Sequence, residues 1–175
     1  MNLYIIKGVS NYNTFKRDAT KTRHPLTTRW AYKMEREILT YPIEEEQVKN
    51  EFSFFIEYFL LKGMHTCDVL FGYAWGNEYY PSNKWDYQEI NLSELAKKVN
   101  EVETTGIGSL SNDDLFVKIN DLEFRFCHDS DVHIYFSKSN EDVEFYYSRW
   151  KQLAYQPAEW LKNEEKGPGE RMRFN

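Results

Sequence analysis

The longest periodic pattern of apolar residues lies at positions 44–62. Its inward positions recur at intervals of three and four, as on one stripe of an α-helix: Val48, Phe52, Phe55, Ile56, Phe59 and Leu60. Acidic residues open the segment and Gly63 follows it, which the helix dipole and a left-handed C-terminal cap both favour. The pattern predicts a core helix, and Phe54 and Tyr58, which widen the stripe, predict that a second side is also covered.

Three shorter segments have the same spacing and are predicted to be helices. The first spans residues 29–39 and is stopped by Pro42. The second begins at Asn91, which with Glu94 fits a reciprocal helix cap, and the third begins at Ser139. Their predicted inward stripes are, in chain order, Trp30, Met34 and Ile38; Leu92, Leu95 and Val99; and Val143, Tyr146, Trp150 and Leu153.

Alternating apolar and polar residues predict the strands. Residues 115–119 and 122–127 flank Asn120 and Asp121, which tolerate the backbone of a two-residue hairpin, and residues 132–136 repeat the alternation. In the middle strand Glu123 and Arg125 are expected on a solvent-facing side. Apolar runs at 3–9 and 67–73 predict further strands. These elements indicate an α+β fold with a single antiparallel β-sheet and several helices packed mainly on one face.

The pattern also suggests how the chain divides. Residues 1–162 are expected to form a single globular domain, and residues 163–175 a polar C-terminal tail. A turn at Pro157 is expected to carry Trp160 and Leu161 inward. The chain has 175 residues, and 17% of them are aromatic, which argues against intrinsic disorder.

Charge narrows the class of partner. The net charge is −6, but residues 1–37 carry +5 and residues 38–175 carry −11. An acidic protein lacks the dense basic face that nucleic-acid binding requires, so a protein partner is expected instead. The basic segment 16–36 remains open to two interpretations, an anion site or a solvated loop.

The location is expected to be cytoplasmic. The chain shows no signal peptide at its start and no apolar run of about 20 residues that could cross a membrane. Cys67 and Cys127 should then be reduced thiols.

Cysteine, histidine and aspartate residues provide the candidate chemistry. Four residues are possible zinc ligands: Cys67, Cys127, His128 and His133. Their spacing matches no recognised zinc pattern. The alternative to zinc binding is a structural role, with the cysteines as small half-buried apolar residues and His128 as a turn residue. Whether they bind a metal stays open. We expect no catalytic residue, no metal and no cofactor.

Aromatic residues crowd positions 71–87, which are expected to form a long loop or an irregular hairpin. Tyr and Trp present large apolar faces with few torsions, so they serve well as interface anchors. Together with the aspartates of strand-connecting loops they give the predicted partner-binding set: Trp75, Tyr79, Tyr80, Trp85, Asp86, Tyr87, Asp113, Asp114, Asp129 and Asp131. We expect the rings between positions 79 and 87 to point outward.

In overall character the chain resembles the immunity proteins that neutralise bacterial polymorphic toxins, being small, acidic, single-domain and without a catalytic motif. The resemblance implies a non-enzymatic, cytoplasmic inhibitor that binds a basic toxin domain through an acidic, aromatic surface, and it carries over no site residues. The alternative is a small hydrolase or ligand-binding enzyme that uses the loop carboxylates and His128 or His133, with or without a metal.

Overall fold

The computed structural model describes residues 36–80 and 85–161, which contain four α-helices and one antiparallel sheet of seven strands. The strand order is β3-β2-β4-β5-β6-β1-β7. The strands are β1 (Arg36–Leu39), β2 (Thr66–Phe71), β3 (Gln88–Asn91), β4 (Leu115–Ile119), β5 (Leu122–Phe126), β6 (Val132–Phe136) and β7 (Ala158–Leu161). The helices are α1 (Glu45–Leu61), α2 (Tyr73–Tyr79), α3 (Leu95–Thr104) and α4 (Glu141–Gln152), and a 3₁₀ turn (Leu92–Glu94) precedes α3. The predicted α+β class is confirmed.

Helix α1 confirms the predicted core helix within one residue at each end. The backbone N–H of Glu44 donates to Gln47 Oε1 at 2.9 Å, and the last turn closes at Gly63, whose φ of +80° suits glycine. Phe54 and Tyr58 are half-buried, as predicted, because α4 covers that side. The ring of Tyr58 stacks on that of Phe145 with centroids 4.7 Å apart.

The core fills the space between the helices and one face of the sheet. Strand pairing aligns Val69 with Val117 and Val117 with Phe124, so every second residue of adjacent strands enters the same apolar layer. Phe55 of α1 and Tyr146 of α4 both pack on Phe124, with centroids 4.7 and 5.0 Å apart. The hairpin predicted at Asn120 and the strands on either side of it are confirmed.

The helix predicted at 29–39 is wrong over its described part. Residues 36–39 form β1, which pairs with β6 on one side and β7 on the other. Pairing on both sides satisfies the backbone and places Ile38 in the core, and this outweighs the helical spacing on which the prediction rested. Residues 29–35, the predicted strand at 3–9, the basic segment up to residue 35 and the tail at 163–175 lie outside the described residues.

The segment at 71–87 is also more regular than predicted. Residues 73–79, beginning within the predicted strand 67–73, form α2. Glycine normally disfavours a helix, but Gly76 lets the backbone of α2 lie close to the backbone of Phe71. A Cβ at this position would lie 2.6 Å from the carbonyl oxygen of Phe71.

Two helix caps in the structure differ from those predicted from the sequence. Asn91 belongs to β3 and makes no side-chain cap bond, because the 3₁₀ turn intervenes before α3. At α4 the cap is Asn140 instead of Ser139, and its Oδ1 accepts from the N–H groups of Asp142 and Val143 at 3.0 Å.

The prediction that the apolar residues near the C-terminal end of the described chain point inward is wrong. Leu153 lies just past the end of α4 and is exposed. Trp160 and Leu161 belong to β7, the strand at one edge of the described sheet, and are also exposed. An edge strand has a partner on one side only, so its side chains receive less cover.

Candidate functional site

The sheet face opposite the helix-covered core carries charged and aromatic side chains. Strand register places them side by side across β2, β4, β5, β6 and β1. They include Glu37, Asp68, Phe116, Lys118, Glu123, Arg125, His133 and Tyr135. We call this set the polar sheet face.

Glu123 lies near the centre of the polar sheet face and is only 7% exposed, although the sequence predicted a solvent-facing position. Its carboxylate meets two cations, Arg125 Nη2 at 2.6 Å and Lys118 Nζ at 3.6 Å. The Arg125 guanidinium stacks over the Tyr135 ring at 3.9 Å from its centroid, and Lys118 Nζ lies 3.6 Å from that of Tyr87. A buried carboxylate is tolerated here because both charge partners are held beside it.

A second polar cluster lies where β5 ends and β6 begins. One nitrogen, sulfur or carboxylate oxygen from each of Cys127, Asp131 and His133 lies within 4.8 Å of the others. The turn between the strands holds them, since the N–H of Cys127 donates to the Asp131 carbonyl at 3.0 Å and the N–H of Ser130 to the Cys127 carbonyl at 3.1 Å. We call these three residues the Cys127 cluster.

The imidazole of His133 has a carboxylate at each ring nitrogen. Nδ1 donates to Glu37 Oε1 on the neighbouring strand, and Nε2 lies 2.9 Å from Asp131 Oδ1. The second contact has ion-pair distance but not hydrogen-bond geometry, so the buried Asp131 Oδ1 accepts no hydrogen bond. Burial lowers the pKa of His133, but its contacts with Asp131, Cys127 and Glu37 outweigh burial and raise it to about 12. The group is therefore an imidazolium ion at neutral pH.

The thiol of Cys127 is protonated in this setting. Burial raises its pKa more than the neighbouring His133 lowers it. A nucleophilic cysteine needs the opposite shift, so the arrangement does not favour thiol catalysis.

The structure brings together three of the four loop aspartates predicted from the sequence. Asp114 Oδ1 accepts from the backbone N–H of His128 at 2.9 Å and lies 2.8 Å from its ring Nδ1. His128 Nε2 lies 3.5 Å from Asp129, and Asp131 belongs to the same turn. Asp113 has a structural role instead, because its carboxylate accepts from the N–H of Ser109 at 2.8 Å.

The two cysteines do not meet at one site. Cys67 alternates with Val69 on the core side of β2 and is buried, whereas Cys127 contacts His133 of the polar sheet face. A site that joins both cysteines is therefore excluded by the fold.

The prediction that the rings between positions 79 and 87 point outward is wrong for Tyr80, and Trp75, another residue of the predicted partner-binding set, is buried as well. Trp75 is fully buried against Phe71, and its Nε1 donates to the Asp114 carbonyl. Tyr80 is 5% exposed, and its hydroxyl accepts from the N–H of Phe71 at 2.9 Å. Both rings are needed to hold α2 against β2, which is why they cannot serve a partner.

Of the other aromatic residues in the predicted partner-binding set, two are half-buried and one is exposed. Tyr79 is half-buried with Lys98 Nζ 5.3 Å from its ring centroid, and Tyr87 is half-buried beside Lys118. Trp85 is 37% exposed, and Asp86 is exposed next to it.

Trp85 is the exposed aromatic residue of a smaller surface than the sequence predicted. Its ring lies against Gly76 of α2, and Glu78, two residues further along that helix, is exposed. Glu89 of β3 is exposed as well. We call Glu78, Trp85, Asp86 and Glu89 the Trp85 surface.

Sequence reasoning missed two exposed apolar residues, Leu61 at the end of α1 and Phe145 of α4. Both lie off the inward stripes of their helices, and an apolar residue off the stripe is the signal that could have identified them.

Within the described part of the predicted basic segment, only Arg36 can be placed, and it pairs with Glu159 of β7. None of the helices in residues 36–80 and 85–161 is long and apolar enough to span a membrane. Comparisons with protein-family models, curated proteins and solved structures gave no match.

Proposed function

We propose that the chain is a non-enzymatic, cytoplasmic binding protein that occupies and inhibits a basic partner, of the kind represented by a bacterial toxin domain. The carrying observation is the charge of the described residues, which hold 23 Asp or Glu against 10 Lys or Arg. A field of one sign accelerates encounter with a partner of the opposite sign and discourages partners of like sign.

The Trp85 surface supplies the contact within that field. An exposed tryptophan offers a large apolar area at small entropic cost, and such residues dominate the free energy of many interfaces. Exposed carboxylates close to it in the sequence, at Glu78, Asp86 and Glu89, carry charge that a Lys- or Arg-rich partner can pair. Trp75 and Tyr80, which are buried, are not part of this proposal.

The test is calorimetric titration of the full chain with the basic proteins encoded by genes adjacent to its own. We expect one of them to bind with one-to-one stoichiometry, to lose its own activity on binding and to bind more weakly as salt is raised. If none of the basic products binds, the proposal is wrong. Turnover of a small substrate by the chain alone would instead support the hydrolase alternative.

Two tryptophans give a matched pair of variants. Trp85, next to β3, and Trp160, in β7, lie at opposite edges of the described sheet and are 37% and 46% exposed. Trp85→Ala should weaken binding by about 30-fold or more, the loss of a hot-spot residue worth about 2 kcal/mol, whereas Trp160→Ala should bind as the wild type does. Equal affinities for all three proteins would remove Trp85 from the interface.

A further inference from the structure

We infer that Cys127, Asp131 and His133 form a binding site for a divalent transition-metal ion of the zinc class. This departs from the sequence-based expectation of no metal, and it does not depend on the proposed partner. The starting point is the convergence of a sulfur, a carboxylate oxygen and an imidazole nitrogen, all within 4.8 Å of one another.

The distances suit tetrahedral coordination. With metal–ligand bonds of about 2.0–2.3 Å, the ligand atoms of a tetrahedral zinc site stand about 3.3–3.8 Å apart. The 2.9 Å between His133 Nε2 and Asp131 Oδ1 is somewhat shorter than that separation, and each pair of ligand atoms in the cluster is no more than 4.8 Å apart. Small side-chain adjustments would therefore bring all three atoms onto one ion.

The polar groups around the cluster are arranged as they are around metal-bound histidines. Glu37 accepts from Nδ1 of His133, and a carboxylate in that position fixes the ring and directs the other nitrogen to the metal. That other nitrogen faces Asp131. Glu37 comes from β1, so the support is independent of the turn that carries the ligands.

One oxygen of the Asp131 carboxylate has an ion-pair contact but no hydrogen bond, which points in the same direction. Asp131 Oδ1 is buried and accepts no hydrogen bond, although buried carboxylate oxygens are normally satisfied. A cation bonded to this oxygen would satisfy it. The bond to a metal would replace the present ion-pair contact with the imidazolium of His133.

The donor set selects the class of metal. Thiolate and imidazole suit Zn²⁺ and its neighbours in the transition series, whereas Mg²⁺ and Ca²⁺ prefer oxygen donors only. Three protein ligands leave one tetrahedral position for water or an external ligand. His128 is not counted, because the group of ligand atoms within 4.8 Å of one another consists of Cys127, Asp131 and His133.

Proton balance makes the binding dependent on pH. The Cys127 thiol and the His133 imidazolium each lose one proton to solvent when the sulfur–metal and nitrogen–metal bonds form. Two protons are released for each ion bound, so affinity should rise with pH.

The test uses the full chain and Co²⁺ as a coloured substitute for Zn²⁺. The wild type should bind one equivalent of Co²⁺, show a thiolate-to-cobalt charge-transfer band in the near ultraviolet, and lose that band when one equivalent of Zn²⁺ is added. Cys127→Ala and His133→Ala should lose at least tenfold in affinity, and Cys127→Ala should lose the band. Glu37→Gln should weaken binding by about 10–100-fold.

Cys67→Ala is the matched control, because it removes the other thiol, on the core side of the sheet, and should keep both the band and the affinity. A measurement on the wild type avoids any folding defect of the variants: Zn²⁺, but not Mg²⁺, should protect Cys127 from alkylation as mapped by mass spectrometry. No charge-transfer band in the wild type, an unchanged band in Cys127→Ala, or alkylation of Cys127 that Zn²⁺ does not slow would each overturn the inference.

Discussion

Replacing Tyr80 tests whether this residue belongs to the core, as the structure shows, or to a partner-binding surface, as the sequence predicted. The ring is 5% exposed and packs edge-on against Tyr79 with centroids 4.8 Å apart. Its hydroxyl accepts from the N–H of Phe71 at 2.9 Å, so it also satisfies a backbone donor of β2. Tyr80→Ala removes both interactions, whereas Tyr80→Phe removes only the hydroxyl.

The expected losses follow from burial and hydrogen bonding. Truncating a buried aromatic side chain to Ala costs about 3–5 kcal/mol, because the ring leaves a cavity. Tyr80→Phe leaves the Phe71 N–H without its acceptor, which costs about 1–3 kcal/mol. Domains of this kind are stable by only about 5–15 kcal/mol, so Tyr80→Ala should remove a large share of the stability.

Urea unfolding followed by circular dichroism measures these losses. We expect the midpoints to fall in the order wild type, Tyr80→Phe, Tyr80→Ala, with the slope unchanged. Trp85→Ala is the comparison, because its exposed ring should cost about 1 kcal/mol or less. If Tyr80→Ala unfolds at the wild-type midpoint, the ring is not enclosed, and the placement of α2 against β2 is wrong.

Three further predictions concern other parts of the fold. The buried carboxylate of Glu51 accepts from Trp150 Nε1 at 3.0 Å and from Arg149, so Glu51→Ala should cost about 3–5 kcal/mol in urea unfolding; a loss below 1 kcal/mol would contradict its burial. The pKa of His133 is raised from 6.5 to about 12, so its stabilising contribution is complete below pH 6.5 and declines as pH rises towards 12. With a chelator present, the stability difference between wild type and His133→Gln should therefore shrink over that interval, and a difference that grows with pH would refute the assignment. Asn140→Ala should cost about 1 kcal/mol through loss of the α4 cap, while Ser139→Ala should cost almost nothing; the reverse order would restore Ser139 as the cap.

Long periodic segments could be predicted from the sequence, because their apolar spacing reflects burial against the sheet. Helix α1 and the hairpin at Asn120 are examples. The four-residue strands β1 and β7 could not be predicted in the same way. Their structure depends on pairing with each other and with β6, which are contacts between distant positions.

In the Cys127 cluster too, contacts between residues that are close in sequence could be predicted, whereas contacts between distant residues could not. Of the cluster, only Cys127 and His133 were named from the sequence as possible metal ligands, although the proximity of all three residues was predictable from the short turn that separates them. The contribution of Glu37 was not, because it is 96 positions away from His133 and lay within a segment predicted to be helical. Likewise, the burial of Tyr80 depends on a backbone donor in β2 that no local pattern reveals.

The kinetics of complex formation with the basic partner test the proposed function most directly. Surface plasmon resonance should show that Asp86→Asn combined with Glu89→Gln slows association and reduces its dependence on salt, whereas Trp85→Ala accelerates dissociation by about tenfold or more with little change in association. Trp160→Ala should leave both rates at wild-type values. Wild-type association and dissociation rates in the Trp85 and Asp86/Glu89 variants would contradict the claim that an acidic, aromatic surface binds the partner.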